Sequence, residues 1–307
     1  MNFGLTDDQS SVLSELERLI HGLNLSAHTQ PVVAPYSDAL DVALADSGFL
    51  DIARTEGFGA LDAALIAERI ARSPHIVEAA TSAIVAPALA IPPGSRPIAL
   101  LAGDGTQPAR FLPRAKVLLL DVGNRAFAIE VDQSNVEPVE GLFAYPYGRL
   151  KTLDGLAAQE LGDVAALRRR WRIAIAAETA GCMAGALALV IEHVKTRHAF
   201  GRPLGAFQAV QHRLAMAAET AESCKWLAFR AAWSDLESDA VLAAAFAQSR
   251  IARFTFDMHQ FTGAMGLTLE YPLHLWTYRL RALVGELGGA SLQARKLAAA
   301  SWPDEAA

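Results

Sequence analysis

The chain has 307 residues, of which 52% are hydrophobic and 20% are charged. This composition excludes an intrinsically disordered chain and allows a sizeable buried core. The formal net charge of −6 argues against nucleic acid and against an anionic membrane surface as partners, because both favour proteins with a basic face.

The N-terminal part of the chain shows helical patterns. Residues 6–23 place apolar side chains at helical spacing and begin with Thr6, a typical N-cap residue. Residues 37–47 and 60–90 form two further helical runs. The first ten residues, MNFGLTDDQS, lack the basic and apolar stretches of a signal peptide, so we expect a cytoplasmic protein.

The composition changes at the segment IPPGSRP, residues 91–97. Three short apolar runs follow, PIALLAG, KVLLLDV and AFAIEV. Gly, Pro and Asn flank these runs, which is typical of strands. The pattern predicts a small β-rich insert at this point.

Helical periodicity returns near residue 154 and continues almost to the end. The most apolar run, IAIAAETAGCMAGALALVIEHV, contains Glu178 and Glu192 among small side chains, which favours a buried bundle helix over a transmembrane span. Helices long enough for an antiparallel bundle are predicted over residues 163–195, 206–234, 238–262 and 270–284.

The predicted fold class is therefore mainly α, with three parts. They are an N-terminal helical domain over residues 1–92, a shortened β middle domain over 93–155 and a C-terminal helical bundle over 156–307.

Several common catalytic signatures are missing. The sequence contains no H-E-x-x-H, Walker A loop, G-x-S-x-G or C-x-x-C, and its eight histidines show no ligand spacing, so no metal site is predicted. The two cysteines, Cys182 and Cys224, lie in helical patterns and form no disulfide framework, which is typical of a reducing compartment.

The segment RHAFGRPLGAFQAVQHRLA, residues 197–215, combines chemistry-bearing side chains in a turn between two helical runs. Arg197 and Phe200 close the first helix, and Gln208 opens the second. An arginine fork suits a phosphate or carboxylate, and free N–H groups at a helix N-terminus favour anions.

A second segment, HQFTGAMGLTLEYPLHLWTYRLR, residues 259–281, has the same build. Gly263 and Gly266 interrupt its helical pattern shortly after Gln260. From spacing alone, both segments could equally be glycine-bearing helix–helix turns in which Arg and Gln serve as caps.

Four segments together resemble the acyl-CoA dehydrogenase family. They are MNFGLTDDQ, GFLDIA, EHVKTRHAFGRPLGAFQAVQHRLAMAAE and HQFTGAMGLTLEYPLHL. The resemblance covers about residues 1–90 and 160–300. It implies an N-terminal helical domain, a middle β domain and a C-terminal four-helix bundle, which agrees with the predicted order of elements.

The resemblance also implies a role for the two glycine-bearing segments. In this family they reach across a dimer interface and hold the ADP half of the neighbouring subunit's FAD. The motif match carries this cofactor-binding role onto Arg197, Phe200, Gln208, Gln260 and Gly263.

The middle domain departs from the family pattern. The family's β domain is about twice as long as the insert, and it carries a Met-Thr-Glu-Pro-type segment and a later Trp-x-Thr segment that cradle the flavin ring. Neither segment occurs between Leu89 and Leu161. We therefore expect that this chain does not seat a flavin ring by itself.

The catalytic base departs from the family pattern as well. The family carries its base, a Glu, at one of two places, and ungapped alignment puts Trp171 and Leu287 there. Glu286 lies one position before the second place, so it is either a shifted base or an ordinary exposed residue. Arg172 matches a family arginine beside the active site or is one solvated charge of a basic helix start. Glu178 falls outside both places and is expected to make a buried polar contact.

Short chains of this kind resemble the smaller subunits of heteromeric bacterial acyl-CoA dehydrogenases that act on bulky, steroid-derived CoA thioesters. The resemblance implies an α2β2 assembly with a full-length subunit, FAD shared across the subunit interface, an acyl-CoA substrate and electron-transferring flavoprotein as acceptor. Two alternatives stay open: a catalytically inactive assembly subunit, and a self-sufficient homodimeric flavoenzyme with Glu286 as base.

Overall fold

A computed structural model describes residues 4–23, 36–141 and 144–302. Helices occupy both ends of the described chain, and strands lie between them. The α-helices within these ranges are α1 (Asp7–Gly22), α2 (Asp38–Asp46), α3 (Ala60–Ala71), α4 (Val164–Thr196), α5 (Gln208–Ser234), α6 (Glu237–Thr262), α7 (His274–Leu283) and α8 (Gly289–Ser301).

The strands form two small sheets and a short hairpin. They are β1 (Ile98–Ala102), β2 (Ala109–Arg110), β3 (Val117–Val122), β4 (Arg125–Glu130), β5 (Val136–Val139), β6 (Tyr147–Leu150), β7 (Ala158–Leu161), β8 (His198–Ala199) and β9 (Arg202–Pro203). The first sheet has the order β1-β3-β4-β7, the second has the order β2-β6-β5, and β8 pairs with β9.

The helices of the N-terminal part follow local sequence signals. The Thr6 side chain accepts a hydrogen bond from the Gln9 backbone N–H, and the Gln9 side chain accepts one from the Thr6 N–H, so a capping box starts α1. The prediction of one helical run over residues 60–90 is wrong. Helix α3 ends at Ala71 because Pro74 disfavours helical backbone just before it, and only short π and 3-10 turns follow.

The larger sheet is buried on both faces. Alternate residues of a strand point to opposite sides, so Leu118 and Leu120 of β3 pack in a small β-domain core while Leu119 packs in the main core. Strand β1 pairs with β3 in parallel, whereas β4 is antiparallel to both β3 and β7. The three predicted β runs coincide with β1, β3 and β4.

Strand β7 lies beyond the predicted end of the β domain at residue 155. In its pairing with β4, Ala126 lies opposite Leu161, so the sheet extends to within three residues of the start of α4 at Val164. Three of its four residues are exposed, which explains why no apolar pattern marked it.

Helix α4 is the centre of the C-terminal bundle. It packs against α3, α5, α6 and α7, while α8 packs along α6. Its length and hydropathy would suffice to cross a membrane, but 78% of its most apolar stretch is buried inside the protein. The predicted mainly α fold with a small sheet region is confirmed.

Candidate functional site

The two glycine-bearing turns meet at one end of the bundle. The turn after α4 carries Arg197, and the turn after α6 follows Gln260 and carries Gly263. All three line one cleft of about 290 Å³, together with His193. The structure thus brings together three of the five residues predicted to bind the cofactor, although more than 60 positions separate Arg197 from Gln260 and Gly263.

Arg197 presents an uncommitted cation to this cleft. Its backbone caps α4 by donating to the His193 carbonyl at 2.8 Å, so its side chain is free to point away from the helix. The side chain is exposed, and it forms no ion pair with any residue in the described ranges. Burial and the positive charge of Arg197 both lower the pKa of the neighbouring His193.

Phe200 and Gln208 lie on the adjoining surface, outside the lining of the cleft. Phe200 is 95% exposed and has a φ of +52°, a left-handed conformation that costs a non-glycine residue about 1–2 kcal/mol. Its ring makes an edge contact with Phe207 at 6.3 Å between centroids. Gln208 is the first residue of α5, and no side chain caps the N–H groups there.

The backbone of Gly263 requires glycine. Its φ of +59° and ψ of −145° lie close to a region that only glycine enters readily. The turn that follows is fixed by His259, whose Nδ1 lies 2.9 Å from the Gly266 carbonyl oxygen and whose Nε2 lies 3.2 Å from Oγ1 of Thr277. His259 therefore connects this turn to α7.

We expect the folded state to lose stability as the pH falls below about 6.5, the ordinary histidine value, with His259 carrying part of the loss. Burial lowers the pKa of His259, so the unfolded chain takes up a proton at a higher pH than the folded chain. The contribution of His259 to stability is complete above the pKa of the unfolded chain. It is lost as the pH falls from that value to the pKa of the folded protein.

Melting temperatures measured from about pH 8 to pH 5 would test this expectation, since this range spans the titration of histidine. His259→Gln should flatten part of the slope, and His212→Gln, at an exposed site, should not. Equal slopes in the wild type and the His259 variant would contradict the expectation.

A second cleft, of about 590 Å³, separates the β domain from the bundle. Arg172 and Glu286 both line it, so the structure also brings together the two residues considered for catalysis. Trp171, at the first family base position, donates from Nε1 to Oε2 of Glu286 at 2.7 Å. The residue at the first family base place is therefore in direct contact with the residue one position before the second.

Glu286 is held by a residue that the sequence did not single out. Arg110, on β2, donates from Nε to Oε1 of Glu286 and from one terminal nitrogen to both oxygens of Glu178 at 3.3 and 3.2 Å. Burial alone would lower the pKa of Arg110, but the carboxylates of Glu178 and Glu286 outweigh it and raise that pKa well above the ordinary value. Glu286 is thus not the ordinary exposed residue that one interpretation expected.

Glu178 makes the buried polar contact expected from the sequence. Besides Arg110, it accepts a hydrogen bond from the Tyr145 hydroxyl. Arg279 of α7 lies 3.4 Å from the same hydroxyl and donates to the Ser73 carbonyl at 2.7 Å. Two arginines and two glutamates therefore form a charge-balanced network that links the β domain, the bundle and the N-terminal domain.

Arg172 is buried, and the interpretation of it as a solvated charge is wrong. Its side chain is 1% exposed, and it donates to Gln293 Oε1 at 2.8 Å and to Glu237 Oε1 at 2.5 Å. Burial lowers its pKa, and the Glu237 carboxylate opposes this shift. Gln293 lies on α8 and Glu237 on α6, so the tertiary structure determines this burial.

Arg110 and Glu286, which line the cleft next to the sheet, are already paired with each other. Arg110 extends from the sheet to Glu178 and Glu286 on the bundle side, where it is about seven-eighths buried. Both oxygens of Glu286 accept hydrogen bonds from protein groups. In the part of the chain that the structure describes, no group of His, Cys, Asp or Glu is suited to hold a metal ion.

The end of the bundle, by contrast, fits the ADP half of a dinucleotide. It offers a guanidinium that forms no ion pair among the described residues, a glutamine and a glycine backbone on one concave surface. These are the groups that bind pyrophosphate by charge-assisted, often bidentate, hydrogen bonds and by close backbone approach.

Comparisons with known proteins agree with this architecture. The family described as "Acyl-CoA dehydrogenase, C-terminal domain" matches residues 169–301. Acyl-CoA dehydrogenase FadE34 of Mycobacterium tuberculosis is 30% identical over 182 residues, which are 55% of this chain and 25% of that protein. Acyl-CoA dehydrogenase IpdE2 of Mycolicibacterium smegmatis is 30% identical over 151 residues, 49% of each chain. The matches thus span only a quarter to a half of these relatives.

Solved structures match over nearly the whole chain. The structure described as "Tcur3481-Tcur3483 steroid ACAD G363A variant" has a TM-score of 0.80 and 25% identity, and covers 97% of this chain and 100% of that one. A chain of the ChsE4-ChsE5 complex from Mycobacterium tuberculosis has a TM-score of 0.79 at 19% identity, covering 98% and 99%. Residues 169–301 therefore match the C-terminal domain of the acyl-CoA dehydrogenase family, and the fold of the chain is similar to that of the solved steroid ACAD.

Proposed function

We propose that this chain is the smaller subunit of a heteromeric, FAD-dependent oxidoreductase that introduces an α,β double bond into a bulky, steroid-derived acyl-CoA. The observation that carries the proposal is the contrast between its two clefts. The cleft at the bundle end offers Arg197, Gln260 and Gly263 to a ligand, whereas the cleft beside the sheet is crossed by Arg110. The steroid assignment draws on the Tcur3481-Tcur3483 steroid ACAD, to which this chain is 25% identical.

The bundle end would hold the ADP half of an FAD whose ring lies in a larger, full-length partner. Arg197 would pair with the pyrophosphate through its guanidinium fork, and Gly263 would let the backbone come close to it. The uncapped N-terminus of α5 at Gln208 would add N–H donors. FAD, when bound, supplies the oxidising power for the desaturation.

The exposed ring of Phe200 supports a subunit interface at this end. A side chain that is 95% exposed on a left-handed backbone combines an unfavourable conformation with an uncovered apolar surface. Contact with a partner subunit or with the cofactor would remove that surface from water. In the proposed α2β2 assembly, which we place in the cytoplasm with electron-transferring flavoprotein as acceptor, the partner contributes the base and the flavin cradle.

We expect the purified chain to bind little or no FAD alone and the complex with a full-length homologue to be yellow. The physical reason is that the chain offers only half of a cofactor site. Absorbance of bound flavin after gel filtration, measured for the chain, the partner and the co-expressed pair, tests this. Flavin bound stoichiometrically to the isolated chain would instead support a self-sufficient homodimer, and a colourless complex would support an inactive assembly subunit.

A further inference from the structure

The cleft beside the sheet raises a separate question, because it contains a carboxylate at almost the position of a family base. Glu286 lies in the turn between α7 and α8, and Gln248 of α6 fixes that turn by donating to the backbone oxygens of Leu283 at 2.8 Å and Glu286 at 2.9 Å. The carboxylate thus has a defined position at the cleft wall.

The position of Glu286 does not make it available. Arg110 occupies one carboxylate oxygen and Trp171 occupies the other. The side chain of Glu286 is 15% exposed, and that of Arg110 is 12% exposed. A general base needs a lone pair within hydrogen-bond reach of the proton that it removes, and here a protein donor already occupies one of the two lone pairs of each oxygen.

Arg110 cannot leave this position without a large electrostatic cost. It also pairs with Glu178, and its guanidinium carbon lies 4.5 Å from the centroid of the Tyr145 ring. Moving it away would leave the partly buried carboxylates of Glu178 and Glu286 without their ion-pair partner. Glu178 would still be linked to Arg279 by the Tyr145 hydroxyl, which bonds to both, whereas Glu286 would not. The guanidinium is therefore held from both sides of the cleft.

We propose that Arg110 is a built-in autoinhibitory contact, a positioning residue that withholds Glu286 from any substrate in the cleft beside the sheet and fastens the β domain to the bundle. Chemistry in this chain's own cleft is thereby suppressed. The proposal does not depend on the cofactor role of the bundle end, because it concerns other residues and is tested without cofactor.

Carboxyl labelling of the full chain tests the proposal. A carbodiimide with an amine nucleophile modifies accessible carboxylates, and mass spectrometry of peptides gives the rate at each site. Glu286 of the wild type should react much more slowly than the exposed Glu56. Arg110→Gln should raise the rate at Glu286 by about tenfold or more. In the wild type, the ion pair with Arg110 must break before the carboxylate can react, and a tenfold change corresponds to about 1.4 kcal/mol. Arg110→Lys should give an intermediate rate, since one ammonium cannot reproduce the fork.

Matched variants separate this role from a merely structural one. Arg149→Gln removes an exposed arginine that pairs with Glu137 outside the cleft, and it should leave the rate at Glu286 unchanged. If Arg110→Gln fails to fold, Arg110→Gln combined with Glu178→Gln reduces the uncompensated charge and should show the same exposure of Glu286. A folded Arg110 variant with a lower melting temperature but a still protected Glu286 would overturn the proposal, as would a wild-type Glu286 that reacts as fast as Glu56.

Discussion

Replacing Arg197 by alanine is expected to lower the affinity of the complex with the larger subunit for FAD by about ten- to a hundredfold. A hydrogen bond between charged groups contributes about 1.5–3 kcal/mol, and each 1.4 kcal/mol corresponds to a factor of ten. The guanidinium lines the cleft with Gln260 and Gly263 and forms no ion pair with any described residue, so its loss removes a contact to the ligand and breaks no ion pair in the described part of the chain. Titration of FAD into the apo-complex measures the effect.

The controls for this experiment lie at the same helix end. Arg197→Lys should restore only part of the affinity, because a point charge does not reproduce the bidentate fork. Lys195→Ala removes an exposed cation that pairs with Glu192 three residues earlier in the chain, and it should leave FAD binding unchanged. An unchanged affinity together with a lowered melting temperature in Arg197→Ala would show that this residue only ends α4.

Gly185→Ala is expected to destabilise the fold by about 3 kcal/mol, the upper part of the range for overpacked cores. A β-carbon there would lie 2.3 Å from Nε1 of Trp276 and 2.4 Å from the carbonyl oxygen of Arg72. These two atoms form a 2.9 Å hydrogen bond that joins α7 to the end of α3. The methyl group would therefore push α7 and the end of α3 away from α4. The resulting loss of stability exceeds the gain from the higher helix propensity of alanine.

Urea unfolding monitored by circular dichroism measures this loss of stability. The matched control is Gly22→Ala at the exposed end of α1, where a β-carbon would meet no atom within 4 Å. The control should be as stable as the wild type or slightly more stable. If both alanine variants unfolded at the same urea concentration, close packing at Gly185 would not be the reason for glycine there.

Local signals in the sequence were sufficient for much of the fold. The start of α1 followed from Thr6 as N-cap, and α4, α5 and α6 begin and end within about two residues of the predicted bounds, within the usual uncertainty of helix ends. These helices depend on capping and on hydrophobic periodicity, which are properties of neighbouring residues. The strands β1, β3 and β4 were predicted for the same reason.

Other elements leave no such local mark. Strand β2 has only two residues, and β7 exposes three of its four, so neither shows a period. The parallel pairing of β1 with β3 depends on the path of the chain between them. Register across distant segments is determined by tertiary packing and cannot be read from a run of four to six residues.

The residues of the two clefts show the same division. The sequence by itself determined that Arg197 and Gly263 occupy glycine-bearing turns at helix ends and that Gln260 precedes the second turn, because glycine, capping and helix termination are local. Only the tertiary structure decided that these turns share one cleft, that Arg172 is buried and that Arg110 reaches Glu286 across 176 positions of the chain. The physical reason is that burial and ion pairing depend on which surfaces of the folded chain meet. Arg110 is an isolated arginine on a two-residue strand, and its neighbours in the sequence do not specify which carboxylate it contacts.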